Sequence, residues 1–534
     1  MASAAEQVDA VVVGAGFSGL YMLHKLRKKG LSVKVFEAGA DIGGTWYWNR
    51  YPGARCDVES MDYSYSFDPE LEQEWEWTEK YPGQPEILAY LQHVADRHDL
   101  RKDVVLETRV THAAYDESTS RWTVRTDQGQ EVSAQYCVMA TGCLSTPKFP
   151  EVPGLETFSG AWYHTGLWPD DEVDFRGRRV GVIGTGSSGV QVIPYVADQA
   201  LDLTVFQRTP NYVLSSFNGP IDQDRVSATK ANYGQAREAA RQSIFGIAVD
   251  MPTKSALEVS DEERREVYRK GWERGHLNAI LQAYTDLIFN EESNETAAEF
   301  IREQVRAKVT DPATAAKLEP RGYPYGTKRP CLDTRYYETF NKENVHLVDL
   351  REEALVEITE TGVRTTAGDY AFDTLVIATG FDAMTGALLN IDITGKGGVS
   401  VRDKWQDGPD TYLGLALSGF PNLFVITGPG SPSVLSNMVV SIEQHVEWIS
   451  DLIDYMAANG HVVIEAAATA EKEWTEHVRA VGDMTLFPKA DSYYIGANVP
   501  GKARVFMPYV GGVAGYRQKC DEVASAGYAG FELR

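Results

Sequence analysis

The chain has 534 residues, and its 51 Lys+Arg against 76 Asp+Glu give a formal net charge of −25. This length allows about three domains, while 43% hydrophobic and 24% charged residues exclude wholesale disorder. The acidic balance argues against nucleic acid as a general partner, because binding to phosphates requires a face rich in Lys and Arg.

The first predicted elements are a strand, a glycine-rich turn, a helix and a second strand. Residues 9–13 are a short apolar run, and residues 14–19 read Gly-Ala-Gly-Phe-Ser-Gly. Leucines at helical spacing then lead to a predicted strand at 31–36, which ends on Glu37. The pattern predicts a dinucleotide site, because the glycines let a pyrophosphate approach the helix N-terminus and the acid accepts hydrogen bonds from ribose hydroxyls. The predicted contacts are Gly14, Gly16, Phe17, Ser18, Gly19 and Glu37.

The same pattern recurs in the second third of the chain. A predicted strand at 178–183 leads into Gly-Thr-Gly-Ser-Ser-Gly at 184–189, and the next strand, 203–206, is followed by Arg208 and Thr209. An acid there would repel a 2′-phosphate, whereas Arg208 can bind one with charge assistance. The first unit therefore suits FAD or NAD and the second suits NADPH, unless Arg208 is an ordinary surface arginine. The predicted contacts of the second unit are Gly184, Thr185, Gly186, Ser187, Ser188, Arg208 and Thr209.

Two apolar strand patterns, residues 136–142 and 374–380, both end in Ala-Thr-Gly. They resemble the strands at which the chain of two-dinucleotide flavoproteins passes between its nucleotide domains. Residues 212–324 lack strand patterns and carry charged helical stretches, one of which opens with a predicted capping box of Ser260 and Glu263. We predict that these charges form a solvated face and not a binding surface.

These patterns predict an α/β fold of two Rossmann-like, doubly wound dinucleotide-binding domains with a helical insertion. The predicted bounds are residues 1–143 and 381–534 for the FAD domain, 144–211 and 325–380 for the NADPH domain, and 212–324 for the helical subdomain. Both nucleotide domains are predicted to be discontinuous, because the chain leaves each of them and later returns.

Five widely spaced cysteines restrict the redox chemistry. They form no C-x-x-C pair, which argues against a disulfide reductase that works through a cysteine pair and against a thiolate metal site. The ten histidines form no metal-binding motif, and no G-x-S-x-G nucleophile elbow occurs, so neither a metal centre nor acyl-enzyme hydrolysis is expected. The remaining chemistry is that of a flavin with an external acceptor, most simply oxygen.

The sequence also indicates a compartment. Residues 1–10 lack both a cationic stretch and an apolar stretch, so no secretory signal is visible. No apolar run reaches the roughly 18 residues that a membrane-spanning helix requires. Together with the cysteine pattern, these features lead us to expect a cytoplasmic protein without membrane insertion, nucleic-acid binding or an obligate protein partner.

Two longer motifs carry a family resemblance. Residues 158–169, FSGAWYHTGLWP, match the F-x-G-x-x-x-H-x-x-x-W-P fingerprint of Baeyer–Villiger monooxygenases. Residues 43–57 match that family's second signature, [A/G]-G-x-W-x(4)-[F/Y]-P-G-x(3)-D. Over essentially its whole length the chain resembles the class I flavoprotein Baeyer–Villiger monooxygenases, and residues 428–438 and 496–501 are most similar to the phenylacetone and steroid monooxygenase branch. Cyclohexanone monooxygenases are related but usually differ in the first of these two segments.

The resemblance implies a reaction and its cofactors. NADPH reduces FAD, oxygen adds to the flavin C4a, and the resulting peroxide anion attacks a small-molecule ketone. The tetrahedral (Criegee-type) adduct then rearranges to an ester or lactone while NADP⁺ stays bound, and sulfoxidation is an expected side activity. The alternatives are a flavin-dependent N- or S-monooxygenase and, more distantly, a flavin redox sensor without turnover.

The resemblance also implies roles for charged residues. Lys328-Arg329 matches the family's Lys-Arg pair, with Arg329 as the catalytic arginine, and Asp57 matches the carboxylate that orients it. An anionic peroxide needs a fixed positive charge, and a guanidinium supplies one at any working pH. Lys328 with Arg208 and Thr209 resembles the cradle of the 2′-phosphate. A structural ion pair between Arg329 and Asp57 is the alternative.

Further positions are carried over from the same motifs. In the second signature the cofactor contacts are Gly44, Thr45, Trp46 and Asp57. The fingerprint residues are Phe158, Gly160, His164, Trp168 and Pro169. His164 is expected to have a structural or gating role in a domain linker. The expected pocket-lining residues, which ordinary core residues would resemble, are Ser433, Val434, Leu435 and Met438.

One position departs from the family pattern. Relatives usually carry Trp just before the hydrophobic pair that precedes G-A-N-[V/I]-P-G, and here that residue is Tyr493. A phenol differs from an indole N–H in length and direction, so we expect the lid at Tyr493 to close with an altered grip on NADP.

Overall fold

The larger sheet is built on the strand that precedes the first glycine turn. The structure is a computed structural model that describes residues 6–534. Glu6–Val13 lies in the middle of this sheet and pairs in parallel with Val33–Phe36 on one side and with Glu131–Met139 on the other. Within the described residues, its eight strands are Glu6–Val13, Val33–Phe36, Val104–Val105, Val110–Asp116, Arg121–Thr126, Glu131–Met139, Asp392–Thr394 and Leu423–Val425.

The chain returns to this sheet after the second nucleotide-binding unit. Asp392–Thr394 pairs in parallel with Val110–Asp116, and Leu423–Val425 pairs in parallel with the carboxyl half of Glu131–Met139. The amino half of the latter strand pairs instead with the antiparallel Arg121–Thr126. Segments from opposite ends of the chain therefore form one continuous sheet.

The second sheet is entirely parallel. In spatial order its strands are Val345–Asp349, Asp202–Gln207, Arg179–Ile183, Thr374–Ile377 and Ala161–His164. Val180, Val182 and Val205 at its centre are fully buried, as expected for strands that are covered on both faces. The predicted α/β class with two dinucleotide-binding sheets is confirmed.

Three small sheets complete the strands. Leu355–Thr359, Gly362–Thr365 and Asp369–Ala371 form a three-stranded antiparallel sheet. Val213–Ser215 pairs with Cys331–Asp333, and Ile464–Ala466 pairs with Phe531–Leu533. The pairing of Val213–Ser215 corrects the expectation that residues 212–324 contain no strand. This short strand forms because it pairs with Cys331–Asp333, which follows the helical segment in the chain.

The helices cover both sheets and form most of the inserted segment. They are Phe17–Lys28, Thr45–Trp48, Pro69–Glu74, Gln84–Arg97, Ser187–Gln199, Gln223–Ala231, Tyr233–Arg241, Asp261–Arg274, Glu291–Lys308, Pro312–Leu318, Tyr336–Thr339, Gly386–Leu389, Val401–Lys404, Met438–Asn459, Ala468–Asp483 and Gly512–Ser525. Among the helices of residues 6–534, none combines the length and the apolar character needed to cross a bilayer.

The helix start predicted at Ser260 is present, but the predicted capping box is only partly formed. Ser260 Oγ accepts a hydrogen bond from the backbone N–H of Glu263, at 3.2 Å, and so caps Asp261–Arg274 as predicted. The Glu263 carboxylate does not complete the box, because it pairs with Lys254 Nζ at 2.6 Å. The reciprocal capping box is formed nearby, by Ser255 and Glu258.

Candidate active site

The first glycine turn brings backbone N–H groups to an open helix end. Gly14 has φ +104°, and a Cβ there would lie 2.6 Å from the carbonyl oxygen of Ala140. A Cβ at Gly19 would overlap the carbonyl of Gly14. The helix Phe17–Lys28 starts after Gly16 without a side-chain cap, so its first N–H groups are free to bind an anion. The turn therefore fits the pyrophosphate of a dinucleotide.

Phe17 and Ser18, the first two residues of that helix, are both buried. The Phe17 ring packs against Tyr63 and Tyr65 at centroid distances of 5.2 and 5.0 Å. Tyr65 Oη also donates a hydrogen bond of 2.6 Å to the Phe17 carbonyl. The helix start is thus fixed by packing from the segment that follows the second signature.

Glu37 has a role beyond the predicted contact with ribose. Its side chain is buried, and its two oxygens accept hydrogen bonds of 2.8 Å from the backbone N–H groups of Ala15 and Gly39. Ala15 lies in the glycine turn, so Glu37 fixes the turn itself. Each carboxylate oxygen has a further lone pair, which leaves Glu37 able to accept from a ribose hydroxyl as well.

The second glycine turn repeats the arrangement. Gly184 has φ +111°, and a Cβ there would overlap the carbonyl of Ala378. Helix Ser187–Gln199 begins after Gly186 without a side-chain cap, which leaves a second open helix end. Thr185 Oγ1 donates at 3.4 Å to the Thr209 carbonyl, which joins this turn to the end of the next strand.

Two cations lie near this second turn without a counter-ion. Arg208 is exposed and Lys328 is half-buried, with Lys328 Nζ 4.9 Å from the centroid of the Tyr323 ring. Within residues 6–534, neither Arg208 nor Lys328 forms an ion pair. Burial and the Arg208 charge lower the pKa of Lys328, and the Asp491 charge only partly opposes this. A bound phosphate would relieve the repulsion, so the pair fits an anion.

The second signature packs directly against the first glycine turn. Gly44 has φ +54°, and a Cβ there would lie 2.8 Å from the Cα of Gly16. Thr45 and Trp46 begin the short helix Thr45–Trp48, and the buried Trp46 donates from Nε1 to Tyr63 Oη at 3.2 Å. The residues predicted from this signature therefore lie beside the first dinucleotide site.

The far part of the same signature reaches the second nucleotide-binding unit. Tyr51 Oη donates to Gln191 Oε1 at 2.7 Å, within the helix Ser187–Gln199. Gly53 has φ +87°, and a Cβ there would lie 2.6 Å from the Gln191 carbonyl. One segment of 15 residues, 43–57, therefore contacts both glycine-turn helices and lies between the two sheets.

Arg329 and Asp57 form a two-point ion pair at this junction. Arg329 Nε donates to Asp57 Oδ2 and Arg329 Nη2 donates to Asp57 Oδ1, each at 2.8 Å. About a quarter of the Arg329 side chain and a fifth of the Asp57 side chain remain exposed. Burial lowers the pKa of Arg329, but the charge and hydrogen bonds of Asp57, together with Tyr493 and Tyr494, outweigh burial and raise the pKa well above its ordinary value. The guanidinium is therefore a permanent positive charge in a fixed orientation.

Both residues of the pair line one cavity. Its wall is otherwise largely apolar, and its remaining lining residues are Val58, Phe245, Ile247, His276, Leu277, Asn278, Leu281, Gly326, Pro330, Val434, Leu435, Ser436, Asn437, Phe487 and Tyr494. A largely apolar wall with a few polar groups is typical of a small-molecule site.

The four residues expected to line the pocket divide into two pairs. Val434 and Leu435 line the cavity, but Ser433 and Met438 do not. Ser433 is fully buried, and its Oγ donates to the Thr427 carbonyl at 3.1 Å. Met438 opens the helix Met438–Asn459 and packs against a buried apolar cluster. Ser433 is turned away because the short 3₁₀ turn Ser433–Leu435 presents only some of its side chains to the cavity.

The inserted segment contributes six residues to the cavity wall. They are Phe245, Ile247, His276, Leu277, Asn278 and Leu281. The charged residues that were expected to form a solvated face are not among them, and the two contributing stretches were not singled out from the sequence. The available signal was the lack of Lys, Arg, Asp and Glu in residues 243–249 and 276–284, within an otherwise highly charged region.

The fingerprint residues lie outside the cavity lining and support the second sheet. Phe158 and Trp168 are buried, and Trp168 packs against Tyr51 at 6.5 Å between ring centroids. A Cβ at Gly160 would lie 2.6 Å from the Asp373 carbonyl. Pro169 is half-buried at the end of the motif. The fingerprint thus joins the second sheet to the second signature.

His164 is completely buried and neutral in this linker. Its Nδ1 accepts a hydrogen bond from Gly166 N at 3.0 Å, so Nε2 carries the hydrogen and donates to the Lys148 carbonyl at 3.1 Å. Burial lowers its pKa. Both nitrogens are occupied and His164 is not part of the cavity wall, an arrangement that supports the expected structural role.

Tyr493 lies beside the cavity residue Tyr494, with 4.5 Å between the ring centroids. Its Oη is buried and has no hydrogen-bond partner among residues 6–534. In the same part of the structure Asn498 donates from Nδ2 to the Phe381 carbonyl at 2.7 Å, while its Oδ1 is buried without a partner. Two orphaned polar atoms within residues 493–498 fit a site for a polar ligand.

Comparisons with known proteins agree with this geometry. The family model for pyridine nucleotide-disulphide oxidoreductases matches residues 11–230. A phenazine N-monooxygenase of Lysobacter antibioticus is 43% identical over 528 residues, which cover 98% of this chain and 97% of that protein. A Baeyer–Villiger monooxygenase of Pseudooceanicola batsensis is 42% identical over 523 residues, with 97% and 95% covered.

A solved structure is similar over almost the whole chain. The oxidised steroid monooxygenase bound to NADP superposes with a TM-score of 0.94 at 52% identity, and 99% of each chain is covered. All five cysteines of the present chain are buried and unpaired, so the disulphide chemistry in the name of the family model has no cysteine pair here. The full-length similarity, the two glycine turns and the two motifs have one common explanation. The chain belongs to the family of flavoprotein Baeyer–Villiger monooxygenases.

Proposed function

We propose that this enzyme uses NADPH and dioxygen to convert small-molecule ketones into esters or lactones. The observation that carries the proposal is the Arg329–Asp57 pair, which presents a permanent cation to a largely apolar cavity. A sulfide oxidation of lower specificity is expected beside it, because a sulfur atom needs no oxyanion stabilisation to accept an oxygen atom.

FAD fits the first nucleotide unit. The glycine turn at Gly14, Gly16 and Gly19 leaves room for a pyrophosphate at an uncapped helix, and Glu37 has lone pairs left for a ribose. Phe17, Ser18, Gly44, Thr45, Trp46 and Asp57 complete the proposed set of contacts. When bound, FAD and NADPH supply hydride transfer and the activation of dioxygen.

NADPH fits the second unit. Its pyrophosphate would be held at the uncapped helix after Gly186, by Gly184, Thr185, Ser187 and Ser188. Arg208, Thr209 and Lys328 would hold the 2′-phosphate, because these two cations have no counter-ion among residues 6–534. Tyr493, whose Oη lacks a partner there, would contact the same nucleotide. The choice of NADPH over NADH therefore depends on Arg208 and Lys328.

Arg329 is the proposed catalytic residue and Asp57 its positioning residue. The remaining N–H groups of the guanidinium can stabilise negative charge that develops on oxygen at the ketone carbonyl. Asp57 holds the guanidinium in place from two points, and Val434 holds it from a third through a hydrogen bond of 2.7 Å to its carbonyl. The apolar wall limits access of water, which would screen this charge.

The proposed domain bounds are those predicted from the sequence. Support comes from the two large sheets. Asp392–Thr394 and Leu423–Val425 share one of them with the strands up to Met139, and the other consists of five strands between Ala161 and Ile377. Residues 1–143 and 381–534 would bind FAD, and residues 144–211 and 325–380 would bind NADPH. The helical subdomain, residues 212–324, would close one side of the ketone cavity.

Product analysis tests the proposal. Purified holoenzyme with NADPH and isotopically labelled dioxygen should convert an aryl ketone into an ester that contains one labelled oxygen atom. An absence of ester, together with N-oxide or S-oxide from other substrates, would contradict it. The second candidate, N-oxidation, is favoured by the 43% identity to a phenazine N-monooxygenase, so a phenazine belongs in the same panel. Bound FAD with negligible NADPH oxidation in air would indicate a redox sensor.

A further inference from the structure

His276 lies in the cavity wall, directly after the fixed end of a helix. The helix Asp261–Arg274 stops at Gly275, whose φ is +62° and where a Cβ would lie 2.6 Å from the Ser216 carbonyl. The Gly275 carbonyl accepts from Tyr81 Oη at 2.6 Å, and the Arg274 carbonyl accepts from Lys80 Nζ at 2.7 Å. Both bonds come from another part of the chain, so the position of the next residue, His276, is fixed.

The hydrogen bonds of His276 fix its tautomer. Its Nδ1 accepts from the backbone N–H of Asn278 at 3.2 Å, so the hydrogen of the neutral ring is on Nε2. Burial lowers the pKa of His276 to about 4, which keeps the ring neutral at physiological pH. The residue is 2% exposed, and its Nε2 has no partner among residues 6–534. A buried N–H donor is thus left without an acceptor.

The surroundings of His276 contain charges but no acceptor for this donor. The carboxylates of Glu59 and Asp57 both raise its pKa through space, whereas the cations Arg274 and Lys80 lower it. Neither carboxylate is within hydrogen-bond distance of Nε2. The ring lines the same cavity as Arg329, next to the apolar Leu277. Buried polar groups are normally paired, so the unpaired donor on this cavity-lining ring leaves a hydrogen bond for a ligand to accept.

We propose that His276 Nε2–H binds a second acceptor oxygen of the substrate while Arg329 faces the ketone carbonyl. The substrate class is then a ketone with an apolar body that carries a further ether, hydroxyl or carbonyl oxygen. This inference rests on the proposed function, because it takes the cavity as the ketone site. A site built to pair a buried donor discriminates strongly against analogues that leave the donor unpaired.

Matched substrates test this. The probes are a linear methyl ketone and its analogues in which one methylene is replaced by an ether oxygen at successive positions. Wild-type holoenzyme should prefer at least one ether analogue over the parent in kcat/KM, and in Kd from the absorbance change of bound flavin. In His276→Phe the preference for the ether analogue over the parent ketone should fall about tenfold. His276→Gln, which retains an N–H donor, should restore part of it.

A control and the opposite results complete the design. Leu281→Ala enlarges the cavity without changing a donor, so it should change all ketones alike. Equal Kd values for the parent and every ether analogue in the wild type would overturn the inference, even if His276→Phe does not fold. An unchanged preference in His276→Phe would overturn it as well. Absence of ester from every ketone, with a Kd preference lost in His276→Phe, would refute the proposed function but support the binding role of His276.

Discussion

Arg329 donates a hydrogen bond of 2.7 Å from Nη1 to the carbonyl of Val434, which is itself part of the cavity wall. The loop around Val434 is held in an uncommon shape, since Thr427 and Ser433 have φ values of +56° and +42°. Ser433 Oγ donates to the Thr427 carbonyl, and Thr427 N donates to His445 Nδ1 at 2.9 Å. The orientation of Arg329 thus depends on a buried network that starts at His445.

Asp57→Asn should weaken both stability and turnover. The change leaves the Arg329 guanidinium without its carboxylate in a mostly buried site, where breaking an ion pair costs about 3 kcal/mol. Urea unfolding of the holoenzyme should show this loss of free energy, and ester formation should fall at the same time. Asp392→Asn, at an exposed pair with His112, is the control. Wild-type stability and ester formation in Asp57→Asn would contradict the positioning role.

Arg208→Ala should raise the KM for NADPH by about tenfold to a hundredfold, because a charge-assisted bond to the 2′-phosphate is lost. The KM for NADH should not change, since NADH lacks that phosphate. Steady-state kinetics with both nucleotides measure the ratio of the KM for NADPH to the KM for NADH. Arg176→Ala removes a similar exposed arginine elsewhere on the second unit and should leave the ratio unchanged. An equal effect on NADH and NADPH would rule out the cradle at Arg208.

Tyr493→Trp should change the KM for NADPH or the substrate profile. The Tyr493 Oη is buried without a partner among residues 6–534, and an indole N–H would reach a different point. Kinetics with several ketones and NADPH provide the measurement, and Tyr455→Trp, on the half-buried surface of the helix Met438–Asn459, is the control. Kinetics identical to the wild type for all of these ketones would show that the lid does not use this side chain.

Acid should destabilise the protein through His445. Burial lowers its pKa from 6.5 to about 3, so between these pH values the unfolded chain binds a proton that the folded chain does not. Stability therefore falls as pH falls through this window, by up to about 1.4 kcal/mol per pH unit. Urea unfolding at pH 7 and pH 5 should show a loss about 2 kcal/mol larger in the wild type than in His445→Gln. Equal losses of unfolding free energy in the wild type and in His445→Gln would contradict this prediction. The control is His346→Gln, at an exposed histidine, which should behave like the wild type.

Local patterns in the sequence predicted the nucleotide-binding elements well. The strand before the first glycine turn, predicted at 9–13, is Glu6–Val13, and the predicted strand at 31–36 is Val33–Phe36. These elements can be predicted from local sequence, because hydrophobic periodicity and glycine conformation within a few residues determine where they begin and end. The Arg329–Asp57 pair joins residues 272 positions apart, and only the family motifs pointed to it.

Most residues of the cavity wall could not be predicted from the sequence. Ser433 and Val434 are neighbours, yet only Val434 lines the cavity, because backbone direction in a 3₁₀ turn cannot be read from composition. Phe245 and His276 come from irregular stretches whose side-chain directions depend on the rest of the fold. Their roles become visible only when the insertion lies beside Asp57, Arg329 and the loop at Val434.

The central claim is that Arg329 acts in the oxygenation of the ketone and not in the reduction of the flavin. Rapid mixing of Arg329→Ala with NADPH under anaerobic conditions, followed by ester analysis in air, tests it most directly. We expect flavin reduction at a rate close to the wild type, with ester formation at least a hundredfold slower. Ester formation by Arg329→Ala at a rate near that of the wild type would contradict the account.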